Sequence, residues 1–475
     1  MEAKVTGDNA VEVSVAMTEA LDRVLSSHLD KGSKQEDLTF AFWKPSGGSK
    51  RFTAVLRDTV LPGPGDRELQ GNVAFTEQYA RRVVMGVPEG CGIALLHSHL
   101  GPGWQGMSDD DIVAERERLA GACWGRTGLP LLGLTRGTDG TWSARIWRRV
   151  GPGPHDFRRI DAVTVRVVGQ RLRLSFNDRL DNDPGVHASQ VASASVWGKA
   201  AQGEIARTHI GIVGLGSVGS IIAEALARTG VRRITLIDHD RIEMRNLDRT
   251  LGAESADVTA RTEKVRVAER NFLKSATATN PKLNVVPHLL NTDSGWHAAL
   301  DCDALFSCVD RPLPRHLLNV LAYSHLIPVV DGGIFAKLDD AGKLLHIDWR
   351  IHRIGPEQQC LFCLGALLRS DVAMDRDGIL DDPDYIKNLS PADREQYAGR
   401  NVFAFSLSVA AHEVIQLLGM LTGQPRVGGS RPQFYHAYPG QMDVLSGGKC
   451  EHECEICALT ADPVDPRVVK NSKAT

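Results

Sequence analysis

The sequence predicts an α/β protein built from two domains, the second with a doubly wound parallel sheet. The chain has 475 residues, a length typical of two or three domains. Residues 209–249 run as an apolar strand, a small-residue helix and a second apolar strand, which is the pattern of a βαβ unit. Residues 12–150 mix helical and strand patterns of their own, so we expect a separate α/β domain before the βαβ unit.

The elements of the first domain follow from its apolar pattern. Residues 12–29 have the periodicity of a helix with one apolar side. Residues 91–100 form an apolar run, which predicts a buried strand that carries histidines at its end. Ser108 is a favourable helix N-cap, and residues 139–140 (Asp-Gly) are typical of a hairpin turn.

A metal site is predicted at the end of the histidine-bearing strand. His97 and His99 are two positions apart, so their side chains point to the same side of a strand and can share one metal ion. Neutral imidazole is a good zinc ligand, and the three aspartates after Ser108 can supply a carboxylate. The alternative is that both histidines are only polar groups at the surface.

These residues resemble the signature of the JAMM (MPN-type) metalloproteases, H-x-H-x7-S-x2-D, whose members cleave peptide or isopeptide bonds after ubiquitin-like proteins. Here eight residues rather than seven separate His99 from Ser108. Asp111 keeps the family's serine-to-aspartate spacing, whereas Asp110 keeps its histidine-to-aspartate spacing. We expect Asp111 to be the ligand, because the cap at Ser108 fixes the side that the acid faces.

The resemblance implies a catalytic Zn²⁺ with an open position for water, and zinc lowers the pKa of such a water to about 7. The family places the glutamate that moves the proton at the start of the first strand, which is Glu36 here. Glu68 and Glu77 lie nearer the histidines in the chain and fit less well. Ser108 would donate to the developing oxyanion. The alternative for Glu36 is an exposed charge at a strand start.

A nucleotide site is predicted in residues 209–249. Gly214, Gly216 and Gly219 follow the first strand at the G-x-G-x-x-G spacing, which lets backbone N–H groups and a helix N-terminus meet a phosphate. Asp238 ends the second strand, where an acid suits a ribose hydroxyl. By itself this fingerprint favours a nicotinamide-dependent oxidoreductase.

The residues that follow favour a triphosphate instead. Arg249 and Lys264 supply cations that neutralise phosphates. Asp310 ends a later apolar strand, where its carboxylate can hold a magnesium ion. A dehydrogenase does not need such a ring of charges. The alternatives are a turn-forming role for Asn246 and a surface ion pair for Arg249.

The whole run resembles the adenylating domain of ubiquitin-activating-type enzymes, the ThiF/MoeB group, over about residues 195–460. That group carries G-x-G-x-x-G, D-x-D-x-[VI]-x-x-x-N-L-x-R, a downstream lysine and a C-[TV]-D strand end, in the order found here. The resemblance implies a Rossmann-like doubly wound fold that binds ATP and Mg²⁺, with a C-terminal glycine carboxylate attacking the α-phosphate. The residues implied to bind the nucleotide or its metal are Gly214, Gly216, Gly219, Asp238, Asp240, Asn246, Arg249, Lys264 and Asp310, and Asp310 also has the catalytic role.

Nine cysteines in a chain without a recognisable signal peptide argue against a disulfide framework. Cys360 and Cys363 form one C-x-x-C pair, and Cys454 and Cys457 form another. Two such pairs complete a tetrahedral zinc site, and the ThiF/MoeB group places a structural zinc in this arrangement. We therefore expect a four-cysteine zinc site that ties the C-terminal segment to its domain, with Cys450 as a further thiol nearby. The alternatives are a redox motif or chance spacing.

One feature departs from the ThiF/MoeB pattern. Many members pass the acyl group to a cysteine between the first cysteine pair and a helix, but residues 389–418 hold no cysteine. The enzyme then stops at the adenylate, uses another residue such as Cys450, or hands the acyl group to a partner's nucleophile. The resemblance also implies a homodimer in which one subunit supplies an arginine to the other. Arg179 is the nearest candidate for that arginine, in an atypical local pattern.

Composition narrows the functional classes. The 55 basic and 58 acidic residues give a formal net charge of −3, which does not support bulk nucleic-acid binding. We predict no apolar stretch long enough to span a bilayer and no signal peptide, and therefore a cytoplasmic protein. The predicted division is a JAMM-type domain at 1–150, a connector at 151–194, the adenylating domain at 195–462 and a loose tail at 463–475.

The predicted function joins two activities. The chain would adenylate a ubiquitin-like protein at its C-terminal glycine with ATP, and would cleave after that protein with zinc, for precursor processing or deconjugation. A conjugating enzyme is a candidate further partner, and such fusions resemble those of bacterial ubiquitin-like conjugation operons, some linked to phage defence. The alternatives are sulfur-carrier activation for cofactor or amino-acid biosynthesis, a scaffold with one inactive domain, and a nicotinamide-dependent oxidoreductase.

Overall fold

The computed structural model describes residues 11–30, 35–70, 72–339, 341, 343–388, 401–423 and 431–467. The chain divides into two compact units. The first comprises the residues up to Asn182 together with 324–326 and 461–463, and the second comprises the rest. The first unit is built on one nine-stranded sheet and the second on one eight-stranded sheet.

The sheet of the first unit has the order β11-β10-β1-β3-β2-β6-β7-β8-β9 and is mixed. Strand β1 pairs in parallel with β3 and β10, β6 pairs in parallel with β7, and the other neighbours are antiparallel. The strands are β1 Glu12–Thr18, β2 Leu38–Gly47, β3 Arg51–Val60, β6 Gly92–Ser98, β7 Leu131–Arg136, β8 Trp142–Arg149, β9 Phe157–Asp161, β10 Thr164–Val168 and β11 Leu172–Phe176, and β4 Arg67–Gln70 and β5 Asn72–Phe75 form a separate hairpin.

Helices cover both faces of this sheet. Helix α1, Glu19–Leu29, packs Leu21 and Leu25 into the core on one face. On the other face, Tyr79 of the second helix and Leu119 of a later one pack together. The remaining helices are α2 Glu77–Gly86, α3 Asp109–Ile112, a π-helix Val113–Ala120 and α4 Gly121–Thr127.

Two local predictions for the first unit can be compared with the structure. Residues 12–29 do not form one helix, because residues 12–18 form β1, whose neighbours on both sides bury Val15 and Met17 completely. Pairing at the centre of a sheet thus overrides the helical pattern there. The hairpin at 139–140 is confirmed, with β7 and β8 joined by a turn that contains Gly140 at φ +84°.

The sheet of the second unit has the order β14-β13-β12-β15-β16-β17-β18-β19. The five strands from β14 to β16 are parallel, which confirms the predicted doubly wound core, and three antiparallel strands extend it. The strands are β12 His209–Val213, β13 Arg233–Ile237, β14 Lys282–Val286, β15 Ala304–Ser307, β16 Val329–Leu338, β17 Leu344–Ile354, β18 Gln433–His436 and β19 Gln441–Val444. The chain reverses its direction of winding between β12 and β15, and ligands bind at such a crevice.

Helices flank this second sheet and connect its strands. They are α5 Val191–Trp197, α6 Lys199–Arg207, α7 Ser217–Thr229, α8 Ser255–Ala260, α9 Lys264–Ser275, α10 Asp293–Leu300, α11 Pro312–Ser324, α12 Arg369–Arg376, α13 Pro383–Asn388, α14 Phe403–Thr422 and α15 Glu455–Ala458. Short 3₁₀ turns cover Ala188–Gln190, Met244–Asn246 and Ile379–Asp381. Helix α7 leads directly out of the glycine turn, so its N-terminus lies at the carboxyl end of β12.

Helix α14 corrects one prediction. By length and composition alone, this 20-residue helix is apolar enough to cross a membrane, so the prediction that no stretch reaches that length is wrong. Its most apolar 18-residue stretch is 61% buried within the described chain. Val409 and Phe405 of the helix pack with Trp349 of β17, as a helix of a protein core does.

Candidate functional site

A cavity of about 670 Å³ opens at the carboxyl ends of the parallel strands in the second unit. The structure brings all but one of the predicted nucleotide-binding residues to its wall. These are Gly214, Gly216, Asp238, Asp240, Asn246, Arg249, Lys264 and Asp310. The exception, Gly219, lies in the first turn of α7 and has a packing role: a Cβ there would lie 1.9 Å from the carbonyl oxygen of Gly214.

The glycine turn has the geometry of a phosphate-binding loop. Gly214 has φ +90°, and a Cβ on it would lie 2.4 Å from the carbonyl oxygen of Cys308. A Cβ on Gly216 would meet no atom within 4 Å, so this position faces open space in the cavity. The turn and the N-terminus of α7 therefore present backbone to whatever fills the cavity, and such a terminus favours an anion.

Asp238 and Asp240 form the acidic side of the cavity. Asp238 accepts the backbone N–H of Leu215 at 2.6 Å and that of Asp240 at 2.8 Å, and burial raises its pKa. The Lys264 ammonium donates to Asp240 Oδ2 at 2.7 Å. Burial alone would raise the pKa of Asp240, but Lys264 outweighs burial and the pKa lies below its usual value. In this structure Lys264 is thus held by a carboxylate at the cavity wall.

Asp310 is positioned by contacts that the sequence did not reveal. The next residue, Arg311, donates to Asp375 Oδ1 through Nε at 2.8 Å and lies 3.0 Å from Asp381. Asp375 Oδ2 also accepts the backbone N–H of Leu313 at 2.7 Å, at the start of α11. These contacts fix the turn after β15. Asp375 lies on α12, and no motif in its neighbourhood marked it.

A buried cluster of charges lies behind the glycine-rich end of β16. Asp331 is fully buried and lies 3.2 Å from Arg315 Nε and 2.9 Å from Arg350 Nη1. Burial alone would raise the pKa of Asp331, but the two arginines outweigh burial and lower it. Arg315 also donates to the carbonyl oxygen of Gly332, which lines the cavity. Glu413, also fully buried, has no hydrogen-bond donor among the described residues, and burial raises its pKa well above the usual value.

Four thiols lie together in the second unit. The sulfur atoms of Cys360, Cys363, Cys450 and Cys454 are all within 4.8 Å of one another, a donor set that suits zinc. The sequence predicted Cys457 as the fourth member of this set and Cys450 as a further thiol nearby, and both sulfur atoms lie at the cluster. Cys457 Sγ adjoins Cys450 Sγ, and a disulfide between them would leave neither as a thiolate ligand, so the choice between Cys450 and Cys457 as the fourth zinc ligand stays a prediction. Cys450 Sγ also accepts the Cys360 N–H at 3.1 Å.

A second candidate metal site lies in the first unit, at the end of β6. The Nε2 atoms of His97 and His99 are 3.1 Å apart. They lie 3.2 Å and 3.3 Å from the two carboxylate oxygens of Asp111. One carboxylate and two imidazoles that converge on one point are a donor set that could hold a metal ion.

Asp111 rather than Asp110 joins the histidines. The Asp111 N–H donates to Ser108 Oγ at 3.1 Å, and the Ser108 N–H donates to Asp111 Oδ2 at 2.7 Å, which fixes the direction of the carboxylate. Burial alone would raise the pKa of Asp111, but His97 and His99 lower it far more. Asp110 instead lies on the exposed side, where Asn72 Nδ2 approaches it at 3.5 Å.

Glu36 lies beside this site. Leu38 pairs with His97 in the sheet, so Glu36, two residues earlier, is on the same side as the histidine. Burial raises the pKa of Glu36, whereas His99 and His97 lower it, so the carboxylate lies within electrostatic reach of both rings. Glu68 is an exposed residue of β4 and Glu77 begins α2. Of the three candidate glutamates, Glu36 has the neighbours that a proton-transferring group needs.

Two predicted features stay untested. Residues 389–400 of the cysteine-free segment lie outside the described residues. Arg179 is exposed in the first unit, and its backbone N–H donates to Asn177 Oδ1 at 3.1 Å. Its proposed role in a partner subunit therefore remains a prediction.

Among solved structures, the chain is similar to E. coli MccB in a crystal structure with ATP. The identity is 16% and the TM-score 0.44, over 57% of this chain and 75% of that chain. A structure of PaaA matches with 17% identity and a TM-score of 0.38, over 52% and 75% of the two chains. Both scores are below 0.5, so neither match bears on function.

Curated relatives match part of the chain. The adenylyltransferase and sulfurtransferase MOCS3 of Drosophila virilis is 29% identical over 188 residues, 39% of this chain and 38% of the relative. The adenylyltransferase and sulfurtransferase UBA4 of Saccharomyces cerevisiae (strain YJM789) is 28% identical over 179 residues, 37% of this chain and 38% of the relative. Ubiquitin-like modifier-activating enzyme 5 of Drosophila willistoni is 27% identical over 139 residues, 26% and 32% of the two chains. The matches thus span less than half the length of these relatives.

A family model matches the chain as well. The model of the ThiF family covers residues 187–446, more than half of the chain. The matched range holds the glycine turn, every cavity residue predicted from the sequence, and the first cysteine pair. The chain belongs to the ThiF family.

Proposed function

We propose that the second unit uses ATP to adenylate the C-terminal carboxylate of a small ubiquitin-like or sulfur-carrier protein. The observation that carries the proposal is the single cavity that joins a phosphate-binding glycine turn to Arg249, Lys264 and Asp310. Two of the curated relatives are named adenylyltransferases and sulfurtransferases, which favours a sulfur carrier as the acyl substrate. The absence of a cysteine from the sequence of residues 389–418 supports the same choice, because release of an adenylate needs no acyl-accepting thiol there.

The cavity residues have distinct roles in this proposal. The backbone of Gly216 and the N-terminus of α7 would receive phosphate, and Asp238 would hold the ribose. Arg249 and Lys264 would neutralise the phosphates, for which Lys264 has to leave Asp240. Asp310 would hold Mg²⁺, which neutralises phosphate charge when it is bound. The substrate carboxylate would attack the α-phosphorus, an acyl–phosphate bond would form, and pyrophosphate would leave.

Exchange of labelled pyrophosphate into ATP tests this proposal. The acyl substrate would be a small protein that ends in glycine, preferably one encoded beside this chain. Exchange should require that protein and should fall at least 100-fold in Lys264→Ala and in Asp310→Ala. Lys274→Ala is the matched control, because Lys274 is exposed in the last turn of the same helix. Full exchange in Asp310→Ala would reject the assigned role.

We propose as a second activity that the first unit is a zinc-dependent peptidase or isopeptidase of the JAMM type. The support is the convergence of His97, His99 and Asp111 with Glu36 beside them. Zinc would supply an activated water when bound, Glu36 would take up and release its proton, and Ser108 would donate to the oxyanion. Trimming a precursor to a terminal glycine would prepare it for adenylation, which gives a reason to join the two activities in one chain.

Metal content and cleavage test the second activity together. The full-length protein should hold two zinc ions, one at the thiols and one at the histidines, and His97→Ala should hold one. Glu36→Gln should keep both ions and lose cleavage of a ubiquitin-like protein fused to a C-terminal extension. Glu68→Gln is the control, because Glu68 is exposed on β4. One zinc in the wild type would favour a scaffold whose first unit is inactive.

A homodimer, a conjugating-enzyme partner, a cytoplasmic location and a role in phage defence remain predictions. Sedimentation of the full-length protein would test the first of them. The nicotinamide alternative is less favoured, because Arg249, Lys264 and Asp310 all face the cavity that a redox dinucleotide would share. Titration with NADH under the conditions of the exchange assay would detect it.

A further inference from the structure

The helix that carries Asp111 has an unusual continuation. After α3 it becomes a π-helix over Val113–Ala120, and π-helical segments occur often at functional sites. Glu115 lies in this segment, four residues after Asp111, and is completely buried. An ionised side chain in a protein core requires a partner, so the contacts of Glu115 show what the π-helix is packed against.

Glu115 is held by two side chains from one face of β8. Arg145 donates to Glu115 through Nε at 3.0 Å and through Nη2, and Trp147 Nε1 donates at 2.6 Å. The Arg145 side chain is only 2% exposed. Buried ion pairs contribute little net stability in general, so stability alone does not account for this pair.

The neighbouring strand leaves space for the pair. Gly133 of β7 lies opposite Arg145 in the sheet register. A Cβ on Gly133 would lie 2.5 Å from both carboxylate oxygens of Glu115 and 2.6 Å from Arg145 Nε. Any side chain at this position would therefore displace the ion pair. The nearest atoms to such a Cβ belong to the ion pair and not to His97, His99 or Asp111.

The same arginine reaches the other side of the metal site. Arg145 Nη1 donates to Thr135 Oγ1, and Thr135 Oγ1 lies 3.3 Å from His97 Nε2. Thr135 and His97 are paired in the parallel register of β6 and β7, so their side chains lie side by side. Since the threonine oxygen accepts from Arg145, its position beside the histidine ring is fixed by the ion pair.

We infer that the Glu115–Arg145 pair is the positioning element of the His97–His99–Asp111 site. Glu115 fixes the helix that presents Asp111, and Arg145 fixes Thr135 against His97. This inference rests on the proposed zinc site of the first unit. Residues that orient metal ligands contribute about 10- to 100-fold in metal affinity, and that is the effect expected here.

The experiment measures zinc affinity in the full-length protein by competition with a chelator series, with the thiol site of the same molecule as internal reference. Gly133→Ala should weaken zinc binding at the histidine site about 10- to 100-fold and leave the thiol site unchanged. Gly125→Ala is the matched control, because a Cβ there would meet no atom within 4 Å. The double variant Glu115→Gln with Arg145→Met removes both charges and keeps an acceptor for Trp147, so it should fold and show the same weakening.

The outcomes separate the inference from the proposal beneath it. If the wild type binds no zinc at the histidines, the proposed metal site fails. If the wild type binds it and both variants bind it equally well, the inference is overturned and the metal site stands. A loss of affinity that only parallels a lower melting temperature of the first unit would assign the pair a structural role and would also overturn the inference.

Discussion

Two neighbouring glycines of the second unit give opposite predictions when each is changed to alanine. In Gly219→Ala the new Cβ would lie 1.9 Å from the carbonyl oxygen of Gly214. Helix α7 and the turn must then separate, and overpacking of this kind costs about 1–3 kcal/mol. Removal of a glycine from a helix returns about 1 kcal/mol. The steric cost is at the upper end of its range because the clash is with backbone, so we expect a net loss of about 1–2 kcal/mol.

Gly216→Ala should behave differently. A Cβ at Gly216 meets no protein atom within 4 Å, so the stability of the ligand-free protein should change by less than about 0.5 kcal/mol. The methyl group would instead occupy the space above the turn into which we place the phosphates. ATP at 100 times its Kd stabilises a protein by about 2.7 kcal/mol, and this gain should shrink in the variant.

Calorimetric melting with and without ATP and Mg²⁺ measures both effects. The transition of the second unit is the one that shifts with nucleotide, which separates it from the transition of the first unit. Gly219→Ala as stable as the wild type would refute the packing argument. Gly216→Ala with a full ATP shift would show that the nucleotide does not approach this glycine.

Three further predictions concern other parts of the second unit. Arg315 and Arg350 lower the pKa of Asp331, so the ionised carboxylate stabilises the folded protein. This contribution is fully present above the unfolded pKa of about 3.9 and is lost as pH falls through the folded pKa. Acid unfolding, measured by circular dichroism, should therefore begin below about pH 4, and Asp331→Asn should make the stability depend less steeply on pH in that range. Cys457→Ser should lose the thiol-bound zinc, whereas Cys450→Ser should keep it; the reverse result, read by metal analysis, would make Cys450 the fourth ligand. Asp375→Asn should slow pyrophosphate exchange about tenfold by loosening Arg311, with ATP binding retained in a melting assay.

The cavity residues of the second unit could be predicted from the sequence because of the topology of its sheet. In a parallel sheet the carboxyl ends of all strands meet at one edge, so residues that follow apolar strands are brought together whatever their distance in the chain. Asp238 and Asp310 were identifiable for that reason. Asp331 also ends an apolar run, at β16, and could have been found by the same rule. Arg350 and Glu413 could not, because one comes from an antiparallel strand and the other from the buried side of α14, and neither has a strand-end position.

The first unit shows a different limit. The histidines and Asp111 could be found because a strand repeats every two residues and a capped helix has a defined start. Residues 12–18 were assigned to a helix because their pattern fits both periods, and only pairing on both edges of β1 selects the strand. A π-helix also has no pattern of its own in the sequence, so Glu115 in VAERERLA looks like one of several exposed acids of an ordinary helix.

The position of Gly133 shows how such a buried pair could have been suspected. A glycine within the apolar strand LLGLTR weakens the strand and commonly marks the close approach of another group. The group that approaches Gly133 is the Glu115–Arg145 ion pair rather than a backbone. Glu115 accepts hydrogen bonds from an arginine and a tryptophan that lie two residues apart on the next strand. A glycine paired across a sheet with a buried charged residue, as Gly133 is with Arg145, can therefore indicate that a polar group fills the space beside it. In this unit the contact leads on both sides toward the residues of the proposed metal site, which is why Gly133→Ala tests the positioning role of the ion pair without removal of a ligand.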